Sequence, residues 1–114
     1  MDAVLPSRDR PRHGPGKLMD AVQLDYFVTP FRAQRFVDRY RPAISRPLAY
    51  GAEGYLFYRS EEDSDHFVHL SFWQDRADFQ RWWLSHEMQE IRVATSGLHG
   101  QPVLPLWNTL LERG

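Results

Sequence analysis

The stretch from His66 to Ile91 constrains the fold more than any other part of the chain. It reads HFVHLSFW, then Gln74-Asp75, then RADFQRWW, then SHEMQEI. Alternation over the first eight residues predicts a half-buried strand. Asp75 stands just ahead of helical spacing, where a carboxylate accepts the free N–H groups of a helix start, and Asp78 adds negative charge to the first turn. A helix bearing tryptophans directly after a strand has to lay its aromatic side back on the sheet. One straight helix from Arg76 to Ala94 conflicts with its own spacing. Phe79, Trp82, Trp83 and Val93 would fall on one side, and Leu84, Met88 and Ile91 on the other. A break near Ser85 removes the conflict: one segment ends at Leu84, and Ser85 caps a second.

The remaining elements follow from the same periodicities. Ala21 to Thr29 alternates and reads as a strand. Thr29-Pro30 predicts a helix start, a hydroxyl cap followed by proline at the first helical position. Ala33, Phe36, Val37, Tyr40 and Ile44 recur at helical spacing, and Pro42 is expected to end or kink that helix near Arg41. Gly51 and Gly54 lead into a second strand, Gly54–Arg59, and Glu61–Asp65 makes an acidic hairpin turn. Val103 to Leu111 is the last strand, placed at a sheet edge by Pro102 and Pro105, which cannot donate to a ladder. The order β-α-β-β-α-β predicts an α+β, ferredoxin-like fold with an antiparallel four-stranded sheet. Residues 1–18, rich in Pro, Gly and basic side chains, are expected to be a flexible leader, and residues 19–114 the single domain.

Composition excludes several function classes. No cysteine is present among the 114 residues, so disulfides, thiolate catalysis and zinc–sulfur sites are absent. Net charge is −1, which offers no overall field for nucleic acid or an anionic membrane. No run approaches about 18 apolar residues, and the first residues lack the apolar core of a secretory signal, so a cytoplasmic protein is expected. RNA-recognition modules share the element order, but strand three carries no basic-Gly-aromatic-Gly pattern.

Both sheet faces carry apolar side chains. Leu24, Tyr26 and Val28, with Val68, Leu70 and Phe72, would form one apolar face; Phe27, Phe67 and Trp73 would share the other with Asp25, His69 and Ser71. Two helices cover one face, the one that carries Asp25 and His69, so a second copy is expected on the apolar one, giving a homodimer with sheets packed face to face.

A strand closing on Trp73, a short acidic turn, then Phe79-Gln80-x-Trp82, with Gly54 opening strand two, resembles the dimeric α/β-barrel superfamily. Within it the pattern is similar to the antibiotic-biosynthesis monooxygenase (ABM) type of domain, over about Ala21 to Leu111. The resemblance implies three activities. One is cofactor-free oxygenation of a small aromatic or polyketide-like substrate. The second is non-catalytic binding of a small apolar or aromatic ligand in a stress-type dimer. The third is haem binding or degradation.

Cofactor-free oxygenation needs a base, a dry apolar cavity and donors for an anion, because a deprotonated electron-rich phenol reduces oxygen itself. Asp25 and His69, expected on one face of neighbouring strands, are the candidate acid–base pair, with His86 entering from the helix break. Phe27, Trp73 and Trp82 are the candidate aromatic walls. The plainer reading gives Asp25 a backbone or Arg partner and leaves His69 a half-buried strand residue. Trp82 and Trp83 point ~100° apart on a helix, so one packs inward and the other covers an edge. Haem-degrading relatives use an Asn on strand one, a Trp on helix two and a following His. Here Trp82 matches, Asp25 stands at the first position, and His86 lies about one turn early. Asp25, His69 and His86 have no spacing that marks an iron site, so no metal is expected. His13 and His99 carry no functional weight in this reading.

Overall fold

The computed structural model describes residues 18–114; the expected leader, apart from Leu18, lies outside them. The elements run β1 (Asp20–Phe27), α1 (Ala33–Ile44), a 3-10 turn (Arg46–Tyr50), β2 (Gly54–Arg59), β3 (His66–Trp73), α2 (Arg76–Trp83), α3 (His86–Ala94) and β4 (Leu106–Thr109). The strands form one open antiparallel sheet in the order β2-β3-β1-β4. This is the ferredoxin-like α+β arrangement that the sequence predicts. Among the described residues no helix is long and apolar enough to cross a membrane.

The helix break is built by two side-chain caps. Asp75 accepts the Ala77 N–H at 3.0 Å and starts α2. Ser85 accepts the Met88 N–H at 3.2 Å and donates to the Trp82 carbonyl at 2.7 Å, so one hydroxyl closes α2 and opens α3. Phe79, Trp82 and Met88 go into the core, whereas Leu84 and Val93 are exposed.

Four local expectations are corrected. Helix α1 begins at Ala33 rather than Pro30, with no side-chain cap. The Thr29 N–H is taken by the Leu98 carbonyl at 2.8 Å, and Phe31 sits at φ 69°, a left-handed conformation through which a helix does not propagate. Pro42 does not end the helix, which continues to Ile44. In the last turn a proline forfeits one N–H, and the chain stops instead where Pro47 removes the next donor. Strand β4 is shorter than expected, starting after Pro105 and pairing with β1 alone.

The fourth correction concerns the sheet faces. The β1–β3 register sets Leu24 opposite His69, Tyr26 opposite Phe67 and Asp25 opposite Val68. The core face therefore combines Val22, Leu24 and Tyr26 with Phe67, His69, Ser71 and Trp73, all buried. The open face combines Gln23, Asp25 and Phe27 with His66, Val68, Leu70 and Phe72. Asp25 and His69 lie on opposite sides of the sheet and are not a pair. The expected division of β3 holds and β1 is reversed against it; the polar groups on the buried side have internal partners, Trp73 Nε1 donating to Ser71 Oγ at 2.8 Å and His69 bonded at both nitrogens.

Gly51 closes the 3-10 turn at φ 113°, and a Cβ there would stand 2.8 Å from Asp78 Oδ2. Gly51→Ala is expected to cost more than about 1 kcal/mol, from backbone strain and the clash together. Urea denaturation reads the loss, and an unchanged midpoint would contradict the turn geometry.

Candidate functional site

The end of α1 leaves a carbonyl in search of a donor. The N–H that would bond Ile44 in a longer helix belongs to Leu48, and it bonds Ser45 at 3.2 Å instead. His69 Nε2 fills the vacancy, 2.9 Å from the Ile44 oxygen. A carbonyl only accepts, so Nε2 carries the proton and Nδ1 is the acceptor. Tyr40, from the buried side of α1, stands 2.6 Å from Nδ1 and donates to it. Tyr26, one position along the core face of β1 from Leu24, donates in turn to the Tyr40 hydroxyl at 3.2 Å. The result is an oriented chain, Tyr26 to Tyr40 to His69 to the Ile44 carbonyl, inside a shell of Phe36, Phe57, Phe67 and Trp82.

Burial sets the charge state of this chain. Desolvation lowers the His69 pKa to about 4, against a smaller rise from its bond to Ile44. Burial raises Tyr26 to about 12, partly offset by Tyr40 and by Arg92. It also raises Tyr40 well above the ordinary phenol value. All three groups are neutral at pH 7.

Tyr26 is the floor of a cleft of about 480 Å3 between β1, α3 and the loop 96–103. Trp83, Met88, Ile91, Arg92 and His99 form its walls. The loop is held to the end of β1 by a bridge between Val28 and His99 and by the Thr29–Leu98 bond. This anchoring stands the His99 ring edge-on to Tyr26, centroids 5.4 Å apart. His99 Nδ1 donates to the Gln101 carbonyl at 3.0 Å, which leaves Nε2 as the ring's basic nitrogen. Arg92 lies over the Trp83 ring, 4.5 Å from its centroid, and donates to the Trp83 carbonyl. The cleft thus offers an aromatic wall, a cation, a basic imidazole nitrogen and the side chain of the nearly buried Tyr26.

A smaller cleft of about 300 Å3 separates α1 from α3 and shares Met88 and Ile91 with the first. Trp82 lines it from below. Its Nε1 is buried without a hydrogen-bond partner among the described residues.

The structure disperses the residues singled out from sequence. Asp25 faces the open side of the sheet, bonded to His66 at 2.8 Å and to Gln23 at 3.0 Å. His69 is sealed in the core and reaches the larger cleft only through Tyr40 and Tyr26. His86 is 85% exposed, paired with Glu90 at 3.2 Å, and lines neither cleft. Phe27 stacks on His66 on the open face, and Trp73 is core. Of the two adjacent tryptophans, Trp82 packs inward and Trp83 forms the wall of the larger cleft. Asp25, Trp82 and His86 do not converge, so the haem-type constellation is not assembled here.

Comparison with known proteins agrees with this architecture. The family model for antibiotic biosynthesis monooxygenase matches residues 19–94. The chain belongs to this family. Three solved structures illustrate how widely the ABM fold is shared. PA3566 from Pseudomonas aeruginosa has TM-score 0.74 at 18% identity, covering 87% of this chain and 100% of that one. A conserved protein from Methanosarcina mazei Go1 has TM-score 0.71 at 21% identity, covering 80% and 91%. An antibiotic biosynthesis monooxygenase has TM-score 0.70 at 15% identity, covering 82% and 99%. At such identities the likeness is one of fold. No curated protein matches the chain.

Tyr26, Tyr40, Arg92 and His99 line or support the larger cleft without having been singled out by sequence, whereas Trp83 is the edge-covering member of the tryptophan pair. Tyr26 and Tyr40 are indistinguishable from core aromatics by spacing. His99 sits in a loop whose anchoring to β1 has no local sequence signal.

His69 also makes stability pH-dependent. Its folded pKa of about 4 lies below the ordinary histidine value of 6.5. Between those values the unfolded chain takes up a proton that the folded protein refuses. Stability from this group is complete above pH 6.5 and declines as pH falls toward 4, by ~3 kcal/mol in all. His69→Phe leaves Tyr40 and Ile44 without their partner and is expected to cost about 2–4 kcal/mol at pH 7. That gap should shrink by pH 4.5 in urea titrations, and a gap that widens on acidification would contradict the buried neutral imidazole.

Proposed function

We propose that this ABM domain is a cofactor-free monooxygenase acting on a small phenolic or polyketide-like aromatic compound in the larger cleft. The observation that carries this reading is the composition of the cleft: an indole wall, an arginine and a free imidazole nitrogen around a largely apolar space. An aromatic ring fits beside Trp83, Met88 and Ile91, the apolar lining of the cleft. His99 Nε2 takes the acidic proton, and Arg92 stabilises the resulting anion. The electron-rich anion reduces oxygen directly. One oxygen atom replaces two hydrogens at the activated carbon and the other leaves as water, so no external reductant is consumed.

Oxygen-electrode measurements on the metal-stripped protein with anthrone-type phenols test this. One oxygen molecule per product is expected, and His99→Gln should lower kcat by about 10²–10⁴-fold. A second reading, a non-catalytic binder of the same ligands, is supported by the sealing of His69 away from the cleft. Ligand binding without oxygen uptake above the protein-free rate would decide for it.

The open sheet face supports a homodimer with sheets packed face to face. Phe27, Leu56, Tyr58 and Leu106 are each about half exposed on it, and large apolar side chains grouped on one face mark an interaction surface. Leu70, opposite Gln23 on one side and Leu56 on the other, is central to that face. Light scattering should report a dimer at micromolar concentration, and Leu70→Asp should yield monomer by placing a carboxylate in the interface. Monomeric wild type would end the two-sheet proposal.

A further inference from the structure

The oriented chain beneath the cleft has a consequence for what can bind there. Ile44 has no proton to give, so His69 Nε2 must donate to it, and His69 Nδ1 must accept. Tyr40 spends its proton on Nδ1 at 2.6 Å, and Tyr26 therefore spends its own on the Tyr40 oxygen. A hydroxyl has one proton. Once it is committed inward, the Tyr26 oxygen can offer the cleft lone pairs only.

We infer that Tyr26 is a hydrogen-bond acceptor toward the cleft, so that the site selects ligands presenting a neutral O–H or N–H donor to it, with Tyr40 and His69 as the positioning residues. This deepens the phenol reading above and rests on the larger cleft being the binding site. It divides the cleft in two. At the floor, Tyr26 receives a donor and orients the ring. At the rim, Arg92 and His99 act on a second, acidic position.

The surroundings of Tyr26 support this direction. From α1 it meets Tyr40 and the Phe36 ring. From the loop it meets the edge of His99, whose Nδ1 proton is already used by Gln101. From α3 the charge that acts on it is Arg92, which stacks on Trp83. Opposite it on β3 is Phe67. No carboxylate is among these groups to reverse the chain by taking a proton from Tyr26. Reversal from the inner end requires a protonated imidazole, which burial disfavours down to about pH 4. The phenol of Tyr26, raised to about 12, does not ionise into a stronger acceptor either.

The test compares 2-naphthol with 2-methoxynaphthalene, which differ in having or lacking the donor, by fluorescence titration of the full chain at pH 7. Wild type should bind the naphthol at least ten-fold more tightly. Tyr26→Phe should abolish most of that preference, and whatever remains measures the bulk of the methyl group. Tyr40→Phe is the decisive variant: it removes the inward acceptor and frees the Tyr26 proton to donate into the cleft. Discrimination should then fall to about two-fold or less, with tighter binding of the ether. Nitrogen-15 spectra of His69 give a readout independent of any ligand and should show Nε2 protonated and Nδ1 bare from pH 8 to pH 5.

Equal binding of the two probes by wild type, no binding of either, an unchanged preference in Tyr40→Phe, or a proton on His69 Nδ1 would each overturn the inference. Failure of the oxygenase reading looks different: donor selection intact, with no oxygen consumed.

Discussion

The register between β1 and β3 decides what this domain can do. With Leu24 opposite His69, every second residue of β1 from Val22 to Tyr26 joins the odd-numbered residues of β3 beneath the helices. A slip of one residue would turn Asp25 inward beside His69 and expose Leu24 and Tyr26. The observed register wins because it buries Val22, Leu24 and Tyr26 completely or nearly so, each worth roughly 1.5–3 kcal/mol of transfer free energy. The alternative would bury a carboxylate, a cost of several kcal/mol without a cation to meet it. Asp25 instead finds His66 and Gln23 on the open side, where water still reaches the pair.

That register brings a histidine into the core, and the end of α1 makes it tolerable. A helix that continued past Ile44 would use up the carbonyl, and an imidazole there would lack an acceptor for its proton. Pro47 and the 3-10 turn stop the helix at the point where His69 can reach it. The tyrosines then satisfy the other nitrogen. Buried polar groups that are all partnered give the core a unique arrangement, whereas one missing partner costs about as much as several contacts supply. The same satisfaction removes His69 from acid–base service: its proton-accepting nitrogen is occupied, and desolvation makes the cation unfavourable.

How far the sequence revealed all this depends on whether each feature is local. The caps at Asp75 and Ser85 are local, and both are where their spacing places them. The bounds of β2 and β3 follow from alternation between turn residues, and the ferredoxin-like order follows from the elements in sequence. The start of α1 was not legible, because Thr29 is held by Leu98, far along the chain. The sheet faces were misassigned for a related reason. Alternation says which residues share a face within one strand and nothing about how two strands are set against each other. Strand β1 is the one that alternation sets the wrong way round: Leu24 and Tyr26, not Asp25 and Phe27, share the helix-covered face with His69 and Ser71. The error passed directly to the candidate site, where Asp25 and His69 were joined across a sheet that separates them.

The break at Ser85 links the packing to the cleft. A continuous helix would have to choose between burying Trp82 and burying Met88, which lie at incompatible angles. By restarting at His86, the chain directs Phe79 and Trp82 into the sheet from α2 and Met88 into the space beside them from α3. Trp83 is left at the junction, stacked on Phe79. Arg92, less than two turns along α3, lies over the indole and bonds the Trp83 carbonyl, one of the acceptors that the end of α2 leaves free. The indole is thereby fixed upright as the wall of the larger cleft rather than folded onto the surface. Met88 and Ile91, shared by both clefts, are the partition between them. An unbranched thioether is the side chain best able to yield in such a wall. The space above Tyr26 is thus bounded on one side by a flexible side chain on α3, while the hydrogen-bonded chain beneath it is set by the end of α1.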